Sequence, residues 1–419
     1  MERFAIIGGV PLQGKVLVNG AKNATLPIMA ATVLAAGRCT ICDAPYLRDV
    51  MVMTRILEQL GAEVKREGRN LSIDTREIGH WEIAEDLMRE TRSSIFLMGA
   101  LLARKGKVKV AYPGGCNIGP RPIDLHLKGL RALNVEITEK HGYVYAETRG
   151  LRGAEVHLDF PSVGATENIM MAAVRARGTT VIRNAAKEPE IVDLQNFLNK
   201  MGARIRGAGT DVIKIDGVAS LGPISYTVIP DRIETGTFMV AAAMTGGEII
   251  IENGIFEHVE PIAAKLREAG AEVEGGEGGI RVRGTGRLVG VDIKTLPYPG
   301  YPTDMQPQTM AMLSIARGTS VIIENIFANR FKHVDELLRM GAQIKTEGRA
   351  AIIRGVEGLT GSAVEASDLR AGVALILAGL VAEGKTTIDN IYHVDRGYEA
   401  IEKKLQGLGA QIWRLEEPA

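Results

Sequence analysis

The stretch "LEQLGAEV", residues 57–64, ends a run of apolar residues at helical spacing on Gly61 and resumes as strand-like sequence. It recurs as "LRALNVEI" (130–137), "LNKMGARI" (198–205), "LREAGAEV" (266–273), "LLRMGAQI" (337–344) and "LQGLGAQI" (405–412). Successive copies begin 73, 68, 68, 71 and 68 residues apart. Each predicts a helix stopping at a residue that tolerates positive φ, followed by a strand. Asn134 holds that place in the second copy, and asparagine is the next most tolerant of the left-handed region.

A second marker keeps step with the first. "AAGRCTI", "RKGKVKV", "ARGTTVI", "TGGEIII", "ARGTSVI" and "AEGKTTI" each follow an Ala-, Met- or Leu-rich segment and predict a helix that returns to a sheet. The repeat is therefore a unit of about 70 residues with two helices and several strands. Six such units exceed one core, so two α/β domains of three units each are expected. The break falls near "YTVIPDRIETGT", giving one domain over 22–229 and another over 1–21 plus 230–419. The N-terminal "FAIIGGVPLQGKVLV" is expected to supply a strand pair to the second domain, so that the chain crosses near residues 20 and 230. An extended scaffold of repeats is the alternative; the irregular insertions between copies argue against it.

The 419 residues carry 50 Lys+Arg against 50 Asp+Glu, which excludes a generally basic nucleic-acid footprint but not a local basic cleft. No run approaches the roughly eighteen apolar residues of a membrane span, and the N-terminus lacks the pattern of an export signal. A cytoplasmic enzyme without membrane or nucleic-acid partners is the expectation. Three cysteines are an odd number and argue against a disulfide framework. "CTIC" (39–42) has C-x-x-C spacing, yet it reads as strand, which puts Cys39 and Cys42 on opposite faces. The seven histidines offer no complementary zinc spacing. Walker, dinucleotide-binding and G-x-S-x-G motifs are absent, so ATP hydrolysis and hydride transfer lose ground.

Chemistry is expected where the sequence departs from its repeat. In "VNGAKNATLP", Lys22 and Asn23 precede the first helix; Asn23 can cap it, and the helix end with Lys22 favours an anion. An exposed lysine beside an ordinary cap is the plain alternative. "PGGCNIGPRPIDLH" sets Cys116 among Gly114, Gly115 and Gly119, with Arg121 near enough to lower a thiol pKa from about 8.5. "PYPGYPTDMQPQTM" places Asp304 before a helix, where it can cap or act as a base. Arg330, Arg370 and Arg396 stand in irregular or helix-start settings. Singly each reads as an ion-paired residue; together with Lys22, Arg92 and Arg121 they suit a compact multivalent anion.

The combination of "NGAKNA", "PGGCNIGPRPIDLHLKGL", "PSVGATENIMMAA", "IPDRIETGTFMVAAA", "YPTDMQPQ", "FANRFKHVDEL", "DLRAG" and "YHVDRGYE" resembles the enolpyruvyl transferases, specifically those that act on UDP-N-acetylglucosamine in peptidoglycan synthesis. The resemblance runs from about residue 3 to residue 414. The sister 5-enolpyruvylshikimate-3-phosphate synthases share fold and chemistry but not the cysteine loop. The resemblance implies a two-domain inside-out α/β barrel of six units with the active site in the cleft. It implies transfer of the enolpyruvyl group of phosphoenolpyruvate to the sugar 3-hydroxyl by addition and elimination, with no metal or cofactor.

It further implies that Cys116 is the general acid, on a loop serving as a lid, and the residue alkylated by fosfomycin. Asp304 is implied as the carboxylate beside the sugar hydroxyl. Lys22, Arg121 and Arg396, with Arg92 and Arg370 nearby, are implied to hold phosphate and carboxylate, and Asn23 the sugar and intermediate. Arg121, Pro122, Ile123, Asp124 and Leu125, Ser162, Val163 and Gly164, and Ile326 are implied as contacts to the nucleotide sugar, with Arg330 in support. Phe160 and Pro161 stand where some members carry Lys and Val, and Arg48 replaces a Lys, which bears on nucleotide affinity. A shikimate-pathway transferase and a catalytically silent nucleotide-sugar-binding protein remain as alternatives.

Overall fold

The computed structural model describes residues 2–112, Ile118 and residues 122–416. The chain forms two compact units. A middle unit holds residues 20–112 and 122–229, and a terminal unit holds 2–19, Ile118 and 230–416.

The middle unit contains α1 (Lys22–Ala31), α2 (Arg48–Gln59), α3 (Leu97–Lys105), α4 (Asp124–Ala132), α5 (Val163–Ala173) and α6 (Pro189–Lys200). The terminal unit contains α7 (Arg232–Thr245), α8 (Phe256–Glu268), α9 (Gln306–Leu313), α10 (Val334–Arg339), α11 (Leu369–Val381) and α12 (Ile401–Gly407). Odd-numbered helices are buried around most of their circumference, as their Ala/Met/Leu-rich sequences require. Even-numbered helices bury one face; α2 does so through Val50, Val52, Met53, Ile56 and Leu57. Each unit's core comprises these helices and the inward residues of its sheets. Among the described residues no helix is long and apolar enough to cross a membrane.

The even-numbered helices end as the repeat predicts. Gly61 (φ +104°), Asn134 (+69°), Gly202 (+110°), Gly270 (+101°), Gly341 (+89°) and Gly409 (+97°) are all left-handed. In the second marker Gly106, Gly178, Gly246, Gly318 and Gly384 also have positive φ, but Gly37 does not. There the chain leaves α1 through a 3-10 turn (Thr32–Leu34), and a Cβ on Gly37 would lie 2.7 Å from Pro223 Cγ. Close packing rather than handedness calls for glycine at that position.

One sheet plan serves every unit. In the terminal unit the strand order Ile293–Lys294, Thr319–Ile323, Ala350–Arg354, Gln343–Glu347 starts with a parallel pair and continues antiparallel. The parallel pair flanks α9, as a crossover through a helix requires. Four other sheets repeat this order. The sixth has three strands, Lys107–Ala111, Tyr143–Glu147 and Glu136–Lys140, its fourth reduced to a parallel bridge between Glu82 and Lys109.

The two N-terminal strands both join the terminal unit, but not as a pair with each other. Glu2–Ile7 lies between Lys385–Asp389 and Gln411–Glu416, whereas Gln13–Val16 runs parallel to Glu248–Ile251 in another sheet. Ser225–Thr227 closes the middle unit in the same way, parallel to Arg38–Cys42. On that strand Cys39 is buried and Cys42 is partly exposed on the opposite face, so the two thiols do not converge.

Candidate active site

In the terminal unit the first turns of the three inner helices carry aspartates. Asp231 caps α7 by accepting the N–H groups of Ile233 and Glu234 (2.8 and 3.0 Å). Asp368 caps α11 through Arg370 and Ala371 (2.9 and 3.1 Å). Asp304 does not cap, contrary to one sequence expectation. It sits in the 3-10 turn Thr303–Met305, and Pro307 at the start of α9 lacks an N–H that a cap would serve. Its carboxylate instead accepts Arg330 Nη2 at 2.9 Å and Arg370 Nη2 at 3.0 Å.

Both guanidinium groups are buried, while the Asp304 side chain is 28% exposed. A partly exposed anion is thus fixed on two buried cations. Arg370 Nη1 also donates to Tyr398 Oη (3.0 Å), whose hydroxyl meets Thr237 Oγ1 (2.8 Å) and Gln308 Nε2 (3.3 Å). Burial works to lower the Arg370 pKa, but Tyr398, Asp304 and Asp231 outweigh it and hold the group above its ordinary value. Nearby His333 is fully buried and pushed down to about 4, chiefly by that burial. Arg396 ends the turn Ile391–Arg396 and is half-buried. Ile326 lies just after the strand Thr319–Ile323, its N–H bonded to Glu324 Oε1 at 2.8 Å.

In the middle unit Lys22 and Asn23 fall inside the first turn of α1 rather than before it. Ala21 is the N-cap position, with no side-chain cap, so Asn23 does not cap. Lys22 Nζ lies 3.1 Å from Asp49 Oδ2 and both side chains are largely buried. A cation at a helix N-terminus opposes the helix dipole, and Asp49 offsets that cost. Arg92 opens the turn Arg92–Phe96 ahead of α3, and that turn packs on α1 and α5. Pro122 and Ile123 lead into α4, whose first residues are Asp124 and Leu125. Ser162 caps α5 by accepting the Ala165 N–H (3.3 Å), and Val163 begins that helix. A Cβ on Gly164 would lie 3.1 Å from His126 Cε1 and 3.2 Å from Phe96 Cε1. Within this unit, then, the Arg92 turn, the start of α4 and the start of α5 converge.

Cys116 and Arg121 lie outside the described residues. Ile118, within the terminal unit, is buried and its carbonyl accepts the N–H of Asn329, the neighbour of Arg330 (3.2 Å).

Several polar residues here do not stand out in the sequence. Asn168, fully buried on α5, accepts the Gly99 N–H (2.6 Å) and donates to the Ile95 carbonyl (2.8 Å). Its amide nitrogen also meets His126 Nδ1 at 3.0 Å, which makes that ring nitrogen the acceptor. One carboxamide therefore joins α5, α4 and the start of α3. Beside it Glu167 is 1% exposed, with neither carboxylate oxygen hydrogen-bonded among the described residues. Burial, then Glu190 and Glu188, push its pKa well above the carboxylate range. The available signal is a polar pair inside "ATENIMMAA", an otherwise apolar helix. Tyr398 and Glu324 give no comparable signal.

A family model described as EPSP synthase (3-phosphoshikimate 1-carboxyvinyltransferase) matches residues 6–405. A UDP-N-acetylglucosamine 1-carboxyvinyltransferase 1 of Symbiobacterium thermophilum is 59% identical over 420 residues, covering 99% of this chain and 95% of its own. A UDP-N-acetylglucosamine 1-carboxyvinyltransferase of Geotalea uraniireducens is 53% identical and covers both chains fully. Among solved structures, the enolpyruvyl transferase NikO from Streptomyces tendae superposes with a TM-score of 0.89 at 25% identity, over 100% of this chain and 99% of that one. EPSP synthase from Acinetobacter baumannii, at 21% identity and a TM-score of 0.76 over 99% of this chain and 100% of its own, shares the fold.

Proposed function

The chain belongs to the EPSP synthase family of enolpyruvyl transferases, and on that premise we propose that it acts on phosphoenolpyruvate and UDP-N-acetylglucosamine. It transfers the enolpyruvyl group to the sugar 3-hydroxyl and releases phosphate. The identity of 59% over nearly the whole length to a carboxyvinyltransferase so named carries this reading. The seat of Asp304 on two buried arginines supports it chemically.

In the addition step the sugar oxygen bonds to C2 of phosphoenolpyruvate, C3 gains a proton, and the hydroxyl proton passes to a base. In the elimination step C3 loses a proton and the C2–O bond to phosphate breaks. Cys116 is the proposed donor to C3, and Asp304 the proposed acceptor near the hydroxyl. Lys22, Arg92, Arg121, Arg370 and Arg396 are proposed to offset the charge of the two anionic substrates, where fixed cations stabilise charge that shifts during reaction. Arg330, with Arg370, fixes the direction of the Asp304 carboxylate. Asn23, Pro122 to Leu125, Ser162 to Gly164 and Ile326 are proposed contacts for the nucleotide sugar. A cytoplasmic location and alkylation of Cys116 by fosfomycin rest on the family resemblance.

The test is phosphate release from phosphoenolpyruvate with UDP-N-acetylglucosamine, against shikimate-3-phosphate as the alternative acceptor. Turnover with shikimate-3-phosphate alone would reassign the chain to the sister activity. Cys116→Ser is expected to lose most turnover while still binding the sugar nucleotide, because a hydroxyl is a poor acid. Cys116→Asp is expected to keep activity and resist fosfomycin. Wild-type behaviour of both variants would remove the acid role.

A further inference from the structure

Glu324 follows the strand Thr319–Ile323 and is 1% exposed. Four neutral donors satisfy its carboxylate. Oε1 accepts Thr295 Oγ1 (2.9 Å) and the N–H groups of Ile326 (2.8 Å) and Phe327 (3.1 Å). Oε2 accepts Thr303 Oγ1 at 2.9 Å. Thr295 in turn accepts the Asn325 N–H through Oγ1 (2.9 Å) and the Asn325 amide through its carbonyl (3.0 Å). The two oxygens therefore serve different segments: one holds the loop of Ile326, the other holds the residue that opens the turn of Asp304.

A glutamate needed only to close the 324–327 turn would use a single oxygen. The second oxygen reaches the backbone segment of Asp304, while Arg330 and Arg370 hold that residue by its carboxylate. Buried carboxylates that accept several donors hold their partners rigidly, and small displacements of a reacting group cost rate steeply. We propose that Glu324 is a positioning residue for this reaction, fixing at once the Ile326 backbone against the nucleotide sugar and the Asp304 carboxylate towards the hydroxyl. The proposal rests on the transferase reading above.

Three variants test it, each with kcat, the affinity for UDP-N-acetylglucosamine and the thermal midpoint measured. Thr303→Val severs the Oε2 link alone; kcat is expected to fall about tenfold or more with sugar-nucleotide affinity within about twofold of wild type. Glu324→Ala loses both links, so kcat falls and affinity weakens together, each by about tenfold. Glu324→Gln keeps the Oε1 bonds and lets the Thr303 hydroxyl turn to accept, so it restores affinity and most of kcat. Should Glu324→Ala fail to fold, the contrast between Thr303→Val and Glu324→Gln still decides. A turnover-competent wild type with Thr303→Val unchanged removes the proposal alone. So does a Thr303→Val variant that loses affinity and kcat equally. A wild type without turnover removes the underlying reading and the proposal with it.

Discussion

At the residue scale, the reactive carboxylate proposed here is held by guanidinium groups rather than by a helix end. Asp304→Asn keeps the size but turns an N–H₂ towards one of the two arginines. It is expected to lower kcat at least about 10²-fold while UDP-N-acetylglucosamine still binds, as calorimetry would show. Lost binding with unchanged kcat would contradict the base role. Glu167 allows a second expectation. Its folded pKa lies above the unfolded value, so the folded state binds more protons above about pH 4.3 and stability falls as pH rises through that window. Glu167→Gln removes the term and is expected to stabilise by about 1–3 kcal/mol at pH 8, the gap closing towards pH 4–5. Thermal midpoints at the two pH values check the sign; an equal shift at both would rule out titration as the cause. A charge beside a helix start makes Lys22, Asp304 and Arg370 candidates in the sequence, but singly each reads as well as a cap or an ion pair, and their proposed roles come from the family resemblance. Asn168 shows only as a polar residue in an apolar helix, and Tyr398 and Glu324 show no sign at all. Their roles depend on partners tens of residues away, and a polar side chain acquires meaning only once burial has removed water from it.

At the element scale, the periodic helix stops were legible because one backbone conformation limits the residues that fit. Two glycines separate the reasons for that limit. Gly270 has φ +101° and open space where a methyl group would stand, so Gly270→Ala is expected to cost about 1 kcal/mol from backbone conformation alone. Gly99 sits within α3 without positive φ, but a Cβ would lie 2.1 Å from the Asn168 carbonyl oxygen. Gly99→Ala is therefore expected to cost more, about 1–3 kcal/mol, by separating α3 from α5. Urea unfolding of both variants gives the comparison; a smaller loss at Gly99 would mean that the helices part easily. What the repeat concealed was its exceptions. Gly37 answers to Pro223, and the second unit's fourth strand has shrunk to the Glu82–Lys109 bridge. The first depends on a contact with another repeat, which periodicity does not encode.

At the scale of the whole molecule, the division into six units follows from the spacing, but the way each set of three closes does not. The strand Glu2–Ile7 is interior to its sheet, paired with Gln411–Glu416 from Glu2 opposite Glu416 onward. That pairing allows a circular permutant in which a short linker joins Glu2 to Glu416 and the chain reopens at the exposed Glu277–Gly278 turn. It is expected to fold and turn over, whereas deletion of residues 2–7 is expected to leave the terminal unit insoluble. Solubility and activity of the two variants decide; a soluble, active deletion would show the strand to be dispensable. The same placement bears on synthesis at the ribosome. The strand Glu2–Ile7 has to wait unpaired until residues 385–389 and 411–416 are translated, while residues 20–229 already possess every partner their own sheets require. Vectorial production thus matures residues 20–229 first, and residues 2–7 become the last piece seated.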